Sequence, residues 1–184
     1  YTSEMEFDGE RLARQGVVVV TVNYRLGALG FLAHPDITAA QPDAPCNFCS
    51  LDQQAGVRWV KRNISSFGGD PDNNTIACQA AGGGSVLAQI ACRDNEGPFN
   101  KAVVLSGMFR SPYETNPFFV PLPLEKAEKL GEEFFSFMGV SSLEEARKLD
   151  ASFVRSKYSE FRGVSNVMFC ICLLYSSQSP LDCI

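Results

Sequence analysis

The chain has 184 residues, 16 basic and 21 acidic side chains, and a formal net charge of −5. Its length corresponds to one domain or slightly more, and 45% hydrophobic with 20% charged residues is ordinary for a folded globular protein. An acidic chain without a basic stripe is not expected to bind nucleic acid. The single histidine, His34, excludes a site built from several histidines.

The N-terminal residues, the apolar runs and the cysteines narrow the class of protein further. Residues 1–14 are polar and charged, so we expect no signal peptide, and a cytoplasmic or a secreted location both remain open. The longest apolar runs, 16–22 and 167–175, fall far below the ~20 residues of a membrane span, so none is expected. The seven cysteines lack the spacing of a disulfide scaffold and are expected to be mostly reduced thiols.

Hydrophobic patterning predicts strands alternating with helices. The β-branched run Gly16–Val22 predicts a strand buried on both faces. Residues 23–44 predict an irregular stretch. The next predictions are a helix over 52–67, with apolar positions 57, 60, 64 and 67 and a stop at Gly68, and a strand over 74–78. A helix over 81–91 with Leu87 and Ile90 inward and a buried strand over 101–105 follow. The last predictions are a helix over 125–138 with Leu130, Phe134 and Met138 spaced by four residues, a capping box Ser141-x-x-Glu144 that opens a short helix, and a helix over 151–161.

This order predicts an α/β fold with a mostly parallel sheet and flanking helices. Composition changes after Arg162, because residues 163–184 contain no lysine or arginine but hold three of the seven cysteines. We therefore predict one α/β domain over 1–162 and a divergent tail of uncertain structure over 163–184.

The most informative segment is Asn74–Val86, where a predicted strand turns at once into a helix through small residues. A strained turn of this kind is the nucleophile elbow, Gly-x-Ser-x-Gly, of α/β-hydrolases. Its apex lies at a helix N-terminus, where the next N–H can point at a developing oxyanion.

Several longer motifs around this segment resemble type-B carboxylesterases, the family of cholinesterases and bacterial para-nitrobenzyl esterases. The matching segments, in the family's order, are VVTVNYRLGALGF (19–31), SLDQQAGVR (50–58), FGGDP (67–71), the elbow (75–86) and AVVLSG (102–107). The resemblance covers about residues 1–158 and implies a partial α/β-hydrolase fold. It also implies hydrolysis of small-molecule carboxylic esters by a Ser–acid–His triad, with no cofactor and no metal.

Carried over residue by residue, the family's elbow reads Cys78-Gln79-Ala80-Ala81-Gly82-Gly83. Ala80 occupies the nucleophile position, and Cys78 replaces the first glycine, which we expect to distort the turn. The Ala81 N–H remains a candidate oxyanion donor. A methyl group cannot attack a carbonyl, so the serine route is lost.

The resemblance also implies that the triad acid and histidine lie beyond this chain, which reads as an internal piece of a longer esterase. Cys46 and Cys49 likewise stand where the family has glycines. We therefore expect an inactive chain, and we expect it to self-associate through exposed sheet edges.

Two other function classes remain open. One is a catalytically silent, cholinesterase-like adhesion or binding module, which would suit Ala80. The other is a small thiol or metal protein built on Cys46 and Cys49, although no second pair completes a zinc site and both are expected to be loop thiols.

Individual side chains offer further alternatives. We expect His34 to be an exposed loop residue rather than a base, and Cys78, short of the apex, not to replace the nucleophile. For Ser85 the expected role is helix packing, and for Ser106 a backbone hydrogen bond.

Overall fold

The structure is a computed structural model that describes residues 5–92, 95–107 and 122–165. The chain divides into two compact units, one made of residues 1–24 and 50–111 and the other of residues 25–49 and 112–184. None of the helices formed by the described residues is both long and apolar enough to cross a membrane.

Helices dominate the described part of the chain. Short 3₁₀ segments lie at Met5–Phe7 and Ile64–Phe67. The regular elements are α1 (Glu10–Ala13), α2 (Gly27–Phe31), α3 (Pro35–Ala40), α4 (Phe48–Asn63), β1 (Thr75–Gln79), α5 (Ala81–Ala91), β2 (Lys101–Leu105), α6 (Leu124–Met138), α7 (Leu143–Ala146) and α8 (Ala151–Ser165).

In the first unit β1 and β2 pair in parallel, with Thr75 opposite Lys101 and Gln79 opposite Leu105. Helix α5 connects the two strands and forms the β-α-β unit that the sequence predicts. The predicted bounds of α5 and β2 are confirmed, and β1 differs by one residue at each end. Gly68, with φ of 81°, ends the predicted helix that starts at Phe48 and continues as a 3₁₀ turn to Phe67.

The predicted strand Gly16–Val22 is wrong. The segment has no regular secondary structure, and Val17, Val18 and Val20 are 41–51% exposed. A strand exists only where its backbone pairs with a neighbour, and in the described residues β1 and β2 pair only with each other. Val22 instead packs against Gly56 of α4.

Two predicted burial patterns are also wrong. Leu87 and Ile90 of α5 are 36% and 52% exposed, and Leu105 of β2 is 54% exposed. The buried face of α5 consists of Gly83, Gly84, Val86, Ala88 and Gln89. The glycines allow the first turn of α5 to approach the end of β2 closely, and Leu87 and Ile90 lie on the more exposed side of the helix.

The second unit has an aromatic core between α6 and α8. Phe134 is fully buried and meets Tyr158 and Phe161 with ring centroids 6.0 and 5.3 Å apart. Phe135, Met138 and Val154 complete the buried cluster. The predicted spacing of four residues on α6 therefore does mark its buried side, and Gly139, with φ of 78°, ends the helix.

Three local predictions in this unit need correction. The stretch predicted as irregular contains α2 and α3, because short helices this rich in glycine and proline leave no clear periodicity. The cap of α7 lies one residue later than predicted: Ser142 Oγ accepts the Glu145 N–H at 3.2 Å. Helix α8 continues to Ser165, inside the segment predicted as a tail; residues 166–184 lie outside the described residues.

Truncation of the aromatic core tests its contribution to stability. We expect Phe134→Ala to lower the free energy of unfolding by about 3–5 kcal/mol, because it removes a fully buried ring and leaves a cavity. Phe137→Ala on the same helix is the matched control, since Phe137 is 38% exposed, and its effect should be clearly smaller. Urea unfolding followed by circular dichroism measures both, and equal losses would contradict the assigned core.

The carboxylate of Glu145 provides a test of the α7 cap. Its Oε2 accepts the backbone N–H of Ser141 at 2.8 Å and the Ser141 hydroxyl at 3.0 Å, and these bonds lower the pKa of Glu145 below the ordinary glutamate value. A lowered folded-state pKa contributes stability above the unfolded-state pKa, and that contribution is lost as the pH falls through the folded-state value.

We expect Ser141→Ala to raise the pKa of Glu145 only part of the way back, because the stronger backbone bond remains. Carboxyl ¹³C titration by NMR measures the shift. Ser159→Ala, which removes an exposed hydroxyl from α8, is the control and should leave the Glu145 titration unchanged. A Glu145 pKa that does not move in Ser141→Ala would contradict the assigned bonding.

Candidate functional site

A tight turn joins β1 to α5 at the segment where the sequence predicts the elbow, and the word elbow is kept for this turn. β1 ends at Gln79, α5 begins at Ala81, and the single residue between them, Ala80, has φ of 52° and ψ of −122°. Side chains rarely adopt this backbone conformation, so neighbouring contacts must impose it. Two backbone hydrogen bonds fix it: the Ala80 N–H donates to Leu105 O at 2.8 Å, and Ala80 O accepts the Gly84 N–H at 3.0 Å.

Glycines allow α5 to lie directly against the end of β2. A Cβ on Gly107 would come to 2.5 Å from the Gly84 nitrogen, and a Cβ on Gly83 would come to 3.0 Å from Gly107 Cα. Real Cβ atoms do not approach backbone so closely, so no other residue fits at Gly107 without a shift of the helix. This approach places the first turn of α5 at the carboxyl end of the strand pair.

Cys78 does not prevent the turn, despite its side chain. A Cβ on Gly82 would overlap Cys78 Sγ, so the thiol occupies the space that the absent Gly82 side chain leaves. Cys78 is half-buried, two residues before the apex. The elbow thus accommodates cysteine at the position of the family's first glycine, with α5 starting one residue after the apex.

The elbow offers a hydrogen-bond donor, the Ala81 N–H, but the side chain at its apex, Ala80, is not a nucleophile. Ala81 is the first residue of α5, so its N–H has no partner within the helix. Ser106 is exposed and follows Leu105, the register partner of Gln79, which places it beside the apex with a φ of 52°. Ser85 lies within α5, half-buried, as its predicted packing role requires.

A buried polar network, missed in the sequence, joins α5 to α4. Gln89 Nε2 donates to Gln53 Oε1 at 3.0 Å and to Ser50 O at 3.2 Å, and Asn95 Nδ2 donates to Gln89 Oε1 at 2.9 Å. Gln89 and Asn95 are 4% and 3% exposed. These bonds satisfy the Gln89 amide and help to fix the helix that begins at the elbow, whereas Asn95 Oδ1 is buried without a hydrogen-bond partner in the described residues. The sequence signal that could have indicated this network was the glutamine at position 89 within the otherwise apolar α5.

The prediction that His34 is an exposed loop residue is wrong. His34 is 6% exposed, stacks on Phe135 at a centroid distance of 4.1 Å, and is the N-cap of α3. Its Nδ1 accepts the Asp36 N–H at 3.1 Å. A capping histidine is hard to foresee, because the usual N-cap residues are serine, threonine, aspartate and asparagine.

Of the predicted loop thiols, Cys46 lies in the loop before α4, whereas Cys49 belongs to the helix, and both are buried. They are 4% and 2% exposed; Cys46 packs with Ala33 and Ala127, and Cys49 lies in the first turn of α4. The four cysteines in the described part of the chain form no disulfide with one another. No group of three or more His, Cys, Asp or Glu side chains in that part is arranged to hold a metal ion.

Replacing the apex alanine with glycine tests the strain at the elbow. We expect Ala80→Gly to raise the free energy of unfolding by about 1 kcal/mol, because glycine adopts this backbone conformation without a side-chain clash. The neighbouring Ala81→Gly is the control and should leave stability equal or lower, since Ala81 has helical geometry. Thermal and urea unfolding measure both, and a destabilised Ala80→Gly would contradict a strained apex.

Comparison with known proteins places this geometry in a family. A model of the carboxylesterase family matches residues 1–160. The para-nitrobenzyl esterase of Bacillus subtilis (strain 168) is 41% identical over 140 residues, which are 76% of this chain and 26% of that protein. The bile salt-activated lipase of Mus musculus is 47% identical over 116 residues, which are 61% of this chain and 18% of that protein.

The solved structure of a thermophilic PNB esterase superposes with a TM-score of 0.81 at 31% identity, covering 98% of this chain and 37% of that one. The predicted α/β-hydrolase fold, present in part, is thereby confirmed, and the chain spans between about a sixth and two fifths of the relatives that it matches. Hydrolysis of carboxylic esters is the activity of the matched family. With the family model covering residues 1–160 and the elbow in place, the chain belongs to the carboxylesterase family.

Proposed function

We propose that this chain is an esterase-family module that recognises small-molecule carboxylic esters at the elbow but does not hydrolyse them by the serine route. The observation that carries the proposal is the Ala80 methyl at the apex of a formed elbow. Family membership supports the ester class, and the side chain at the nucleophile position supports inactivity. The proposal needs no cofactor and no metal.

The chemistry of the apex explains the inactivity. Acyl transfer in a serine hydrolase begins when an oxygen attacks the ester carbonyl while a base removes its proton. Ala80 provides no oxygen. The single histidine is already engaged, because its Nδ1 accepts a backbone N–H. Its neutral ring therefore carries the proton on Nε2, which makes that nitrogen a donor and not a base.

The Ala81 N–H supports recognition of an ester in the absence of turnover. It lies one residue past the apex, at the positive end of the α5 dipole. An ester carbonyl oxygen is a suitable acceptor for such a donor. The elbow would then bind an ester or its acid weakly.

A catalytically silent binding module is the second candidate, and Ala80 favours it equally. Such a module would use its surface rather than the elbow to bind a partner. The exposed apolar side chains Val17, Val20, Val103 and Leu105 support a tendency to self-associate. The two candidates differ in whether restoring chemistry at residue 80 restores hydrolysis in an intact family member.

Introducing a serine at the apex tests the proposed inactivity. We expect neither the chain nor its Ala80→Ser variant to hydrolyse p-nitrophenyl acetate or to be labelled by a fluorophosphonate probe, because no base activates the hydroxyl. Ala80→Ser combined with Ser106→Ala is the control that excludes labelling of the neighbouring serine. Specific labelling of residue 80 in the isolated chain would show that an activating base lies within it.

A transplant tests the elbow itself. Residues 75–86 replace the equivalent segment of a full-length PNB esterase, which supplies its own histidine and acid. We expect kcat to fall by about 10⁶-fold with Ala80 and to recover substantially with Ala80→Ser plus Cys78→Gly. Failure to recover in a folded hybrid would favour the silent module, since this elbow would then not present a nucleophile.

A further inference from the structure

The second unit contains a cavity of about 390 Å³ that the elbow does not involve. His34 and Asp36, from the start of α3, form one side of it, and Glu132 and Phe135 of α6 form another. Its volume lies in the range of small-molecule sites, which are commonly apolar with a few convergent polar groups.

The charge of the lining is negative. Asp36 and Glu132 are its two carboxylates, and no lysine or arginine lines it. Asp36 Oδ2 accepts the Leu143 N–H at 2.8 Å, which holds this carboxylate in place. Glu132 forms no ion pair with any residue in the described ranges. Glu132 is exposed. Two carboxylates beside a cavity, one of them held in place, favour a ligand with a positive charge.

A second observation is independent of the carboxylates. The His34 side chain is 92% buried, and its ring stacks on Phe135. Because Nδ1 accepts the Asp36 N–H, the neutral ring has its proton on Nε2. Nε2 has no hydrogen-bond partner among the residues that the structure describes, although His34 lines the cavity. Since Nε2 is itself accessible to solvent, it can donate to an oxygen acceptor that enters the cavity.

We propose that this cavity binds a small amino alcohol, that is, a primary ammonium group joined by a short carbon chain to a hydroxyl oxygen. The ammonium group pairs with Glu132 and Asp36, the oxygen accepts from His34 Nε2–H, and the carbon chain lies against Val140 and Pro35. A simple alkylamine would leave the His34 donor without an acceptor, and a diol would leave the two carboxylates without a cation. This inference does not depend on the proposed function of the elbow.

The single histidine makes the proposal testable by NMR, because its ring Cε1–H gives one signal that needs no assignment. The chain is titrated with 3-amino-1-propanol, with n-butylamine, which has a methyl in place of the hydroxyl, and with 1,3-propanediol, which lacks the charge. We expect a saturable shift of the signal with the amino alcohol and much weaker binding of the other two.

Neighbouring glutamates on α6 provide the matched variants. Glu132→Gln should weaken binding of the amino alcohol about two- to fivefold, the range of one exposed ion pair. Glu133→Gln makes the same change of charge one residue away, outside the cavity, and should bind like the unaltered chain. Both substituted side chains are exposed, and circular dichroism checks that both variants fold.

Three results would overturn the assignment. A shift that grows linearly, without saturation, would show that the cavity is not a binding site. Equal binding of n-butylamine and the amino alcohol would show that His34 does not contribute to binding. Equal weakening in Glu132→Gln and Glu133→Gln means that the ligand responds only to the general negative charge of α6.

Discussion

The close approach of two backbone segments, at Gly83 in α5 and Gly107 after β2, is the constraint on which the first unit depends. With a Cβ absent at both positions, the helix lies directly on the end of the strand pair. A single residue, Ala80, then joins β1 to α5 and must change the direction of the chain, which forces it into its strained conformation. The hydrogen bonds of Ala80 to Leu105 and Gly84 follow from the same geometry.

This constraint explains how the turn at Ala80 can form without a hydroxyl at that residue. The strained backbone is imposed by neighbouring glycines and by strand pairing, and neither depends on a hydroxyl at residue 80. Even the thiol of Cys78 is accommodated, because Gly82 leaves room for it. Under the proposed function, scaffold and chemistry are separable in this protein: the turn of the family's architecture forms with a methyl group at residue 80.

The second unit is organised by aromatic packing. Phe134 meets rings from α8, while the next residue, Phe135, stacks on His34. Consecutive residues of one helix thus serve two purposes, since one closes the core and the other supports a histidine at the edge of an acidic cavity. Holding that ring by stacking and by the Asp36 N–H directs its remaining nitrogen to a ligand rather than to catalysis.

Local signals in the sequence determined much of this description. Glycines and small residues marked the turn at Ala80 and the bounds of α5, apolar spacing marked the buried side of α6, and the motif order identified the family. These features depend on neighbours within a few residues along the chain.

Tertiary structure alone decided the features that involve distant residues. The valines of Gly16–Val22 have strong strand propensity, yet a strand needs a paired neighbour, and no described residue pairs with them. Leu87 and Ile90 are exposed because the glycine-containing side of α5 packs on the strands, and His34 is buried because Phe135, about a hundred residues later, stacks on its ring. The sequence could identify each of these side chains, but burial and pairing depend on surfaces that meet only when the chain has folded.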